Sequence, residues 1–231
     1  MEKKYHKNVL DDLTEFKKNI IFNWETATKE AAKEWSKLNP SNKKEFENFY
    51  IKSAYYMDAM ATYNAMGKKL RLIEKIYKII KSIKGIKTIV DFGCGIGSDS
   101  LFLDKCGYKV IAMDLDSVSL DFTKWRIQKY KKKIKVIAVD KKIPKCDLIL
   151  SLDTLEHVFD PYETLKIMIK SKPKILLFTT AFRHHDDNQG GIPMHTDYDV
   201  KKLEKFIEDN GYRKKKLNIP FPPRLFIKKL K

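Results

Sequence analysis

The stretch VDFGCGIGSDS, Val90 to Ser100, most constrains what this chain can fold into. An apolar run ends in an acid, three glycines alternate, and a segment of helical character follows. That order reads as a strand turning sharply into a helix, because glycine adopts left-handed backbone angles at little cost. Gly93, Gly95 and Gly97 also leave the backbone bare, so that a ligand can come close. In an open parallel sheet, ligands bind beyond the carboxyl ends of the strands, where the winding direction reverses. The spacing therefore places a small molecule across Gly93 to Gly97.

The surroundings of the turn agree with such a sheet. From Gly85 onward short apolar runs alternate with helical stretches: KTIVDF, KVIAMD, IKVIAVD, CDLILSL and KILLFTT read as strands. Ser98 to Cys106, Val118 to Tyr130, Tyr162 to Ile169 and Asp199 to Asn210 read as helices, and RKKKLNI and RLFIKKL as a final strand pair. Near-continuous apolar strands separated by helices imply a mainly parallel sheet covered on both faces, an α/β fold. Residues 1–84 read as helices instead. Helical spacing runs from Val9 to Leu38 and stops at Asn39-Pro40; Ser41 or Asn42 then caps one long helix through Met66; a third segment spans Lys68 to Ser82. The expected organisation is a helical cap or lid over residues 1–84 and a ligand-binding core over residues 85–231.

The acids at the strand ends narrow the ligand. A dinucleotide fingerprint is G-x-G-x-x-G, whereas here the spacing is G-x-G-x-G, with Asp91 two residues before the first glycine. An acid there repels a pyrophosphate and suits an ammonium group. The second strand ends in Asp114, placed to accept both hydroxyls of a ribose. The third ends in Asp140, placed to accept from an adenine amine. Ammonium, ribose and adenine together describe S-adenosylmethionine.

VDFGCGIGSDS, VIAMDLDS, VIAVD and CDLILSLDTLEHVFDP, taken in order, resemble the successive motifs of class I S-adenosylmethionine-dependent methyltransferases, and within them the small-molecule branch that includes ubiquinone-biosynthesis enzymes. The resemblance covers residues 85–231. It implies a Rossmann-like seven-stranded, mostly parallel sheet of order 3-2-1-4-5-7-6, with strand 7 antiparallel and helices on both faces. It also implies that Asp91, Gly93 and Gly95 hold the methionine part, with Cys94 among the cofactor contacts. Asp114 would hold the ribose, Leu115 pack on the adenine, Asp140 bind its amine, and Ser151 and Leu152 line the sulfonium. Ala112 departs from the glycine often found two residues before the ribose acid. Tyr50, Tyr55, Tyr56 or Tyr63 of the cap would approach the cofactor.

The acceptor side is less defined. Histidines cluster after the fourth and fifth strands: His157 in LEHVFDP, then His184, His185 and His195 in FRHHDDNQGGIPMHTD. His157, His185 and His195 are the candidates for catalysis or acceptor contact. His184, His185 and Asp186 are the possible metal ligands, but their spacing matches no metal motif and no metal is expected. Glu156 reads as a helix-start acid with no further task. The expected reaction is in-line methyl transfer to an O or N atom of a small molecule, with S-adenosylhomocysteine as product.

The charge of +17 raises an alternative, an RNA methyltransferase. Lys124 to Lys135 carries seven bases and no acid. Only five of the 47 basic residues are Arg, however, and nucleic-acid readers favour Arg for bidentate contacts. The N/D-P-P-Y/F tetrapeptide of amino-methylating nucleic-acid enzymes is missing; DPYE at Asp160 lacks the second proline. Cys94, Cys106 and Cys146 are scattered without ligand spacing, which fits a reducing cytoplasm. No run of 18 apolar residues suggests a membrane span, and the first residues carry no apolar leader segment.

Overall fold

A computed structural model describes residues 4–139, 142–181, 193–217 and 223–229, the side chain of Lys68 apart. Seven strands form one sheet: β1 (Thr88–Phe92), β2 (Lys109–Asp114), β3 (Lys135–Ala138), β4 (Leu148–Ser151), β5 (Ile175–Phe178), β6 (Tyr212–Lys215) and β7 (Arg224–Lys228). Their order is β3-β2-β1-β4-β5-β7-β6. β1 to β5 are parallel where they pair, and β7 runs antiparallel to both β5 and β6. The order and directions expected from the sequence are those observed.

Alternation along the strands sorts side chains onto two faces. Ile89, Val110, Ala112, Leu148, Leu150 and Leu177 point to one core layer. There α6 (Gly67–Lys81), α7 (Ser98–Lys105) and α8 (Val118–Lys129) cover them, with Ile73, Ile76 and Ile80 of α6 fully buried. Val90, Phe92, Ile111, Met113, Ile149 and Leu176 point to the other. α9 (Pro161–Lys170) and α10 (Val200–Asp209) cover that face. β1 lies between β2 and β4, and the chain winds outward in opposite directions on its two sides. The loops after β1 and β4 therefore part and leave a crevice.

The N-terminal region departs from the sequence reading in two places. The segment from Val9 to Leu38 is two helices, α2 (Val9–Phe16) and α3 (Trp24–Leu38), preceded by the short α1 (Lys4–Lys7). Asn19 takes a left-handed φ of 58°, and Asn23 starts α3 afresh by accepting the Thr26 amide. The expected long helix after Pro40 is also two, α4 (Lys43–Lys52) and α5 (Ala54–Ala65). Ser53 breaks it: its backbone is extended, and its hydroxyl caps α5 through the Tyr56 amide. Asn42 does cap α4 through the Glu45 amide, and the Glu45 carboxylate reaches back to accept the Ser41 amide, one residue before the cap. The break sends the two helices into different packing groups. Phe46, Phe49 and Tyr50 pack with Met194, while Met57 packs with Val9 and Leu13.

One buried cation ties this region to the sheet. Arg126 of α8 is fully buried, although it lies inside the basic run 124–135. Its Nε donates to Asp12 of α2 at 2.9 Å, its Nη1 to the Ile96 carbonyl and Ser98 Oγ, and its Nη2 to the Tyr5 carbonyl. Burial lowers its pKa and Asp12 works against that. Cys94, Cys106 and Cys146 are free thiols. Among the described residues no helix is long and apolar enough to cross a membrane.

Removing one partner of a buried ion pair strands the other charge. Asp12→Ala should therefore lower the unfolding free energy by about 3–5 kcal/mol in urea titration. Glu15→Ala, which breaks only the exposed pair with Lys129, should cost about 0–1 kcal/mol. Equal costs would show that the Arg126 network does not hold the helices.

Candidate active site

The glycine turn closes the crevice at the end of β1, and its own backbone is almost fully bonded. The Gly93 and Cys94 amides donate to the Met113 carbonyl, and the Gly97 amide to the Cys94 carbonyl. The Gly95 amide donates to Asp114 Oδ2 at 2.6 Å. The Gly95 carbonyl accepts from Thr123 Oγ1. Amides committed in this way do not form an anion nest, and Asp99 occupies the first turn of the following helix. The turn is thus unsuited to a pyrophosphate.

The bareness of the turn serves the protein as well as the ligand. Gly93 has φ +75°, and a Cβ there would stand 2.2 Å from Thr154 Cγ2. Gly95 has φ +51°, and a Cβ there would meet only the flexible end of Met60, its Sδ at 3.1 Å. Gly95 is therefore the glycine whose missing side chain opens space toward the crevice.

Two adjoining cavities, of about 360 and 240 Å³, share walls of Tyr56, Met60, Gly93, Gly95, Asp153 and His157. The larger adds Asp114, Leu115 and Val139 from the ends of β2 and β3, with Phe46 and Tyr50 of α4. The smaller adds Cys94, Leu152, Glu156 and His195, with Tyr63 of α5 and Lys69 of α6.

Most of the expected site residues converge here, and two stand apart. Gly93, Cys94, Gly95, Asp114, Leu115, Leu152, His157 and His195 line the cavities. Asp91 and Ser151 do not. Alternation along β1 sends Asp91 to the α7 face, where it accepts from Ser100 Oγ at 2.5 Å. Burial and the neighbouring Asp99 push its carboxyl well up. Alternation along β4 likewise turns the buried Ser151 away. Of the cap tyrosines, Tyr50, Tyr56 and Tyr63 reach the cavities, whereas Tyr55 is exposed. Asp140, His184, His185 and Asp186 lie outside the described residues. Among the described residues no group of three or more His, Cys, Asp or Glu is placed to hold a metal.

The electrostatics of the described site are those of a dry cleft. Asp114 accepts the Gly95 and Leu115 amides, and burial pushes its carboxyl to about 6 against the pull of those bonds. Tyr50 donates its hydroxyl to the Met194 carbonyl at 2.8 Å, and His157 Nδ1 lies 3.3 Å from the same oxygen. The His157 ring packs edge-on against Tyr50, Tyr56 and His195. Burial, and then His195, holds its pKa well below the usual imidazole value.

Glu156 is one of the cavity residues that sequence reasoning missed, with Lys69, Asp99 and Asp153. Glu156 is 1% exposed; one carboxyl oxygen accepts the Ala181 amide, and the other has no hydrogen-bond partner among the described residues. Burial, then Asp153, raises its carboxyl to about 8. Only its nearness to His157 in LEHVFDP pointed to it.

Comparison with known proteins agrees with this geometry. A family model described as a methyltransferase domain matches residues 60–225. No curated protein matches the chain by sequence. Among solved structures, magnesium protoporphyrin IX methyltransferase from Synechocystis PCC 6803, with bound S-adenosylmethionine, is similar at TM-score 0.53 and 15% identity, over 68% of this chain and 76% of that one. A methyltransferase dependent on the same cofactor from Aquifex aeolicus is similar at TM-score 0.52 and 20% identity, over 67% and 87%. An O-methyltransferase family protein from Burkholderia thailandensis is similar at TM-score 0.54 and 15% identity, over 76% and 58%. At these identities the structures establish the shared fold.

The residues present fit S-adenosylmethionine. Asp114 keeps unshared lone pairs at the cavity wall, Leu115 offers an apolar surface beside it, and Gly95 leaves room next to both. Asp114→Ala should abolish the thermal shift given by S-adenosylhomocysteine, which at 100-fold over its dissociation constant stabilises wild type by about 2.7 kcal/mol. A retained shift would contradict the role of Asp114. Glu156, at about 8 in the fold against 4.5 for the free group, binds a proton that the unfolded chain releases. Its contribution to stability is full below the unfolded value and is lost as pH rises through the folded one. Glu156→Gln should therefore flatten the fall in unfolding free energy between about pH 5 and 8 in urea titrations. An unchanged slope would show that the carboxyl ionises freely.

Proposed function

The chain belongs to the class I S-adenosylmethionine-dependent methyltransferases, and from that premise we propose that it methylates an oxygen or nitrogen atom of a small-molecule acceptor, a hydroxyl being the group the site fits best. When bound, the cofactor supplies an electrophilic methyl group on a sulfonium. The residues of this chain do the rest: they exclude water, orient the acceptor and take its proton.

The observation that carries the hydroxyl reading is the state of His157. Tyr50 spends its one proton on the Met194 carbonyl, so the nearby His157 Nδ1 carries the hydrogen and points it at the Tyr50 oxygen. That tautomer leaves the Nε2 lone pair to accept a proton. Burial keeps the ring neutral, so it is ready to do so at neutral pH. An amine needs only to arrive uncharged, whereas a hydroxyl gains from such an acceptor. His195, edge-on to His157 at 4.5 Å between ring centres, lines the same cavity as an acceptor contact.

The walls support a compact acceptor. Phe46, Tyr50 and Tyr56, from helices of the first 84 residues, cover the cavities, which fits residues 1–84 acting as cap and residues 85–231 as the cofactor-binding core. The rim of the larger cavity carries Glu47, Asp160 and Glu163 against Lys43, which disfavours a polyanion. The basic run is also engaged internally: Arg126 is buried, Lys124 pairs with Asp116 and Asp121, Lys129 with Asp12 and Glu15, and Lys132 with Asp104. These pairings weigh against the RNA alternative.

His157→Ala should lower kcat for a hydroxyl acceptor by about 10²–10⁴-fold. Calorimetry should find the affinity for S-adenosylhomocysteine within about threefold of wild type. Undiminished turnover would remove His157 from the proton transfer.

A further inference from the structure

A folded chain seldom leaves a buried polar atom without a hydrogen bond. Among the described residues five side-chain atoms are in that state: His6 Nδ1, Thr28 Oγ1, Ser119 Oγ, Ser151 Oγ and Glu156 Oε2. Two of the five residues, Thr28 and Glu156, line the smaller cavity, and they come from elements far apart in the chain, α3 and the loop after β4. Thr28 is unusual for a helical residue. Thr14 and Thr62 each donate to the carbonyl four residues back, and so does Ser36, in the same helix as Thr28. Thr28 makes no such bond. On Glu156, Oε1 receives the Ala181 amide, so the hydrogen of the neutral carboxyl sits on Oε2. Burial, then Asp153, keeps it there at neutral pH, since the carboxyl titrates at about 8. Each residue therefore holds an unspent donor.

We propose that Thr28 and Glu156 form an acceptor subsite, donating hydrogen bonds to a carbonyl oxygen that the acceptor carries in addition to the hydroxyl that is methylated. The inference rests on the hydroxyl reading of His157, which lines the same cavity. A carbonyl oxygen offers lone pairs and no hydrogen, the complement of two donors. A carboxylate suits the cavity less, because Asp99 and Asp153 also line it and Lys69 already pairs with both. Both oxygens lie shut off from water, so the acceptor reaches them by a side-chain rotation and then meets no competing solvent. Trp24, one helical turn before Thr28, and Tyr63 of α5 add aromatic surface, which suits a flat skeleton.

The probes are the ortho, meta and para hydroxyacetophenones and the ethylphenols of the same substitution, which keep the shape and the hydroxyl but lack the carbonyl. They are titrated calorimetrically with saturating S-adenosylhomocysteine present. In wild type at least one hydroxyacetophenone should bind about tenfold more tightly than its ethyl counterpart. Thr28→Val should weaken that isomer by about three- to tenfold and change the ethylphenol by less than about twofold. Glu156→Met should do the same, and Thr28→Val serves alone if Glu156→Met does not fold. Glu156→Gln, which still accepts the Ala181 amide and places an N–H donor at the free position, should restore the preference. Thr28→Val should also leave the urea midpoint at or above that of wild type, because the hydroxyl it removes had no partner. A lowered midpoint, no preference for the carbonyl in any isomer, no binding by any probe, or equal weakening of both probes by Thr28→Val overturns the proposal. The readout is binding rather than turnover, so the proton transfer to His157 is judged apart, by the kcat of His157→Ala.

Discussion

The shape of the glycine turn depends on the buried guanidinium of Arg126. A turn with three left-handed glycines has little intrinsic preference for one conformation, since glycine loses more backbone freedom on folding than any other residue. Here the turn is gripped from two sides. Asp114 takes the Gly95 amide on the cavity side, and Arg126 and Thr123 take the Ile96 and Gly95 carbonyls from behind. Arg126 is in turn fixed by Asp12 and the Tyr5 carbonyl. The first helices are thus part of what holds the cofactor site in shape, and His6 on Asp99 repeats that connection at the adjacent residues.

Strand alternation then decides which groups meet the ligand. Around β1, the residues on the α7 face become buried supports and those at the strand ends become walls. Asp91 stiffens the base of α7 through Ser100, while Asp99, the residue just before it, faces the cavity. On the acceptor side, closure by α4 and α5 removes water from Glu156, His157 and Tyr56, and burial moves each toward its neutral form. The cleft is consequently mixed in character. The smaller cavity holds both, with fixed charges on Lys69 and Asp99 beside the neutral Glu156 and His157.

Much of this was legible in the sequence because it is local. The five parallel strands, the turn and Asp114 follow from runs of a few residues read against periodicity and strand ends. What escaped depends on partners far along the chain. Ser53 ends one helix and caps the next, yet nothing in FYIKSAYYMD distinguishes that from an uninterrupted helix. Arg126 sits in a run of lysines, and what sets it apart is full burial against partners far along the chain, Asp12, 114 residues away, and the Tyr5 carbonyl. Lys69 and Glu156 became site residues because α6 and the loop after β4 fold onto the same turn. Asp91 is the reverse case: its position in the motif implied contact with the ligand, and the side of the strand it occupies withdraws it.

The central claim is that the crevice between the ends of β1, β2 and β4 takes S-adenosylmethionine in one orientation. A crystal structure of the complex with S-adenosylhomocysteine tests it most directly. The ribose hydroxyls should lie within hydrogen-bonding distance of the Asp114 carboxylate, with the sulfur facing the His157 side of the cleft. A nucleoside bound in the reverse sense, or seated away from Gly95 and Asp114, would contradict the account.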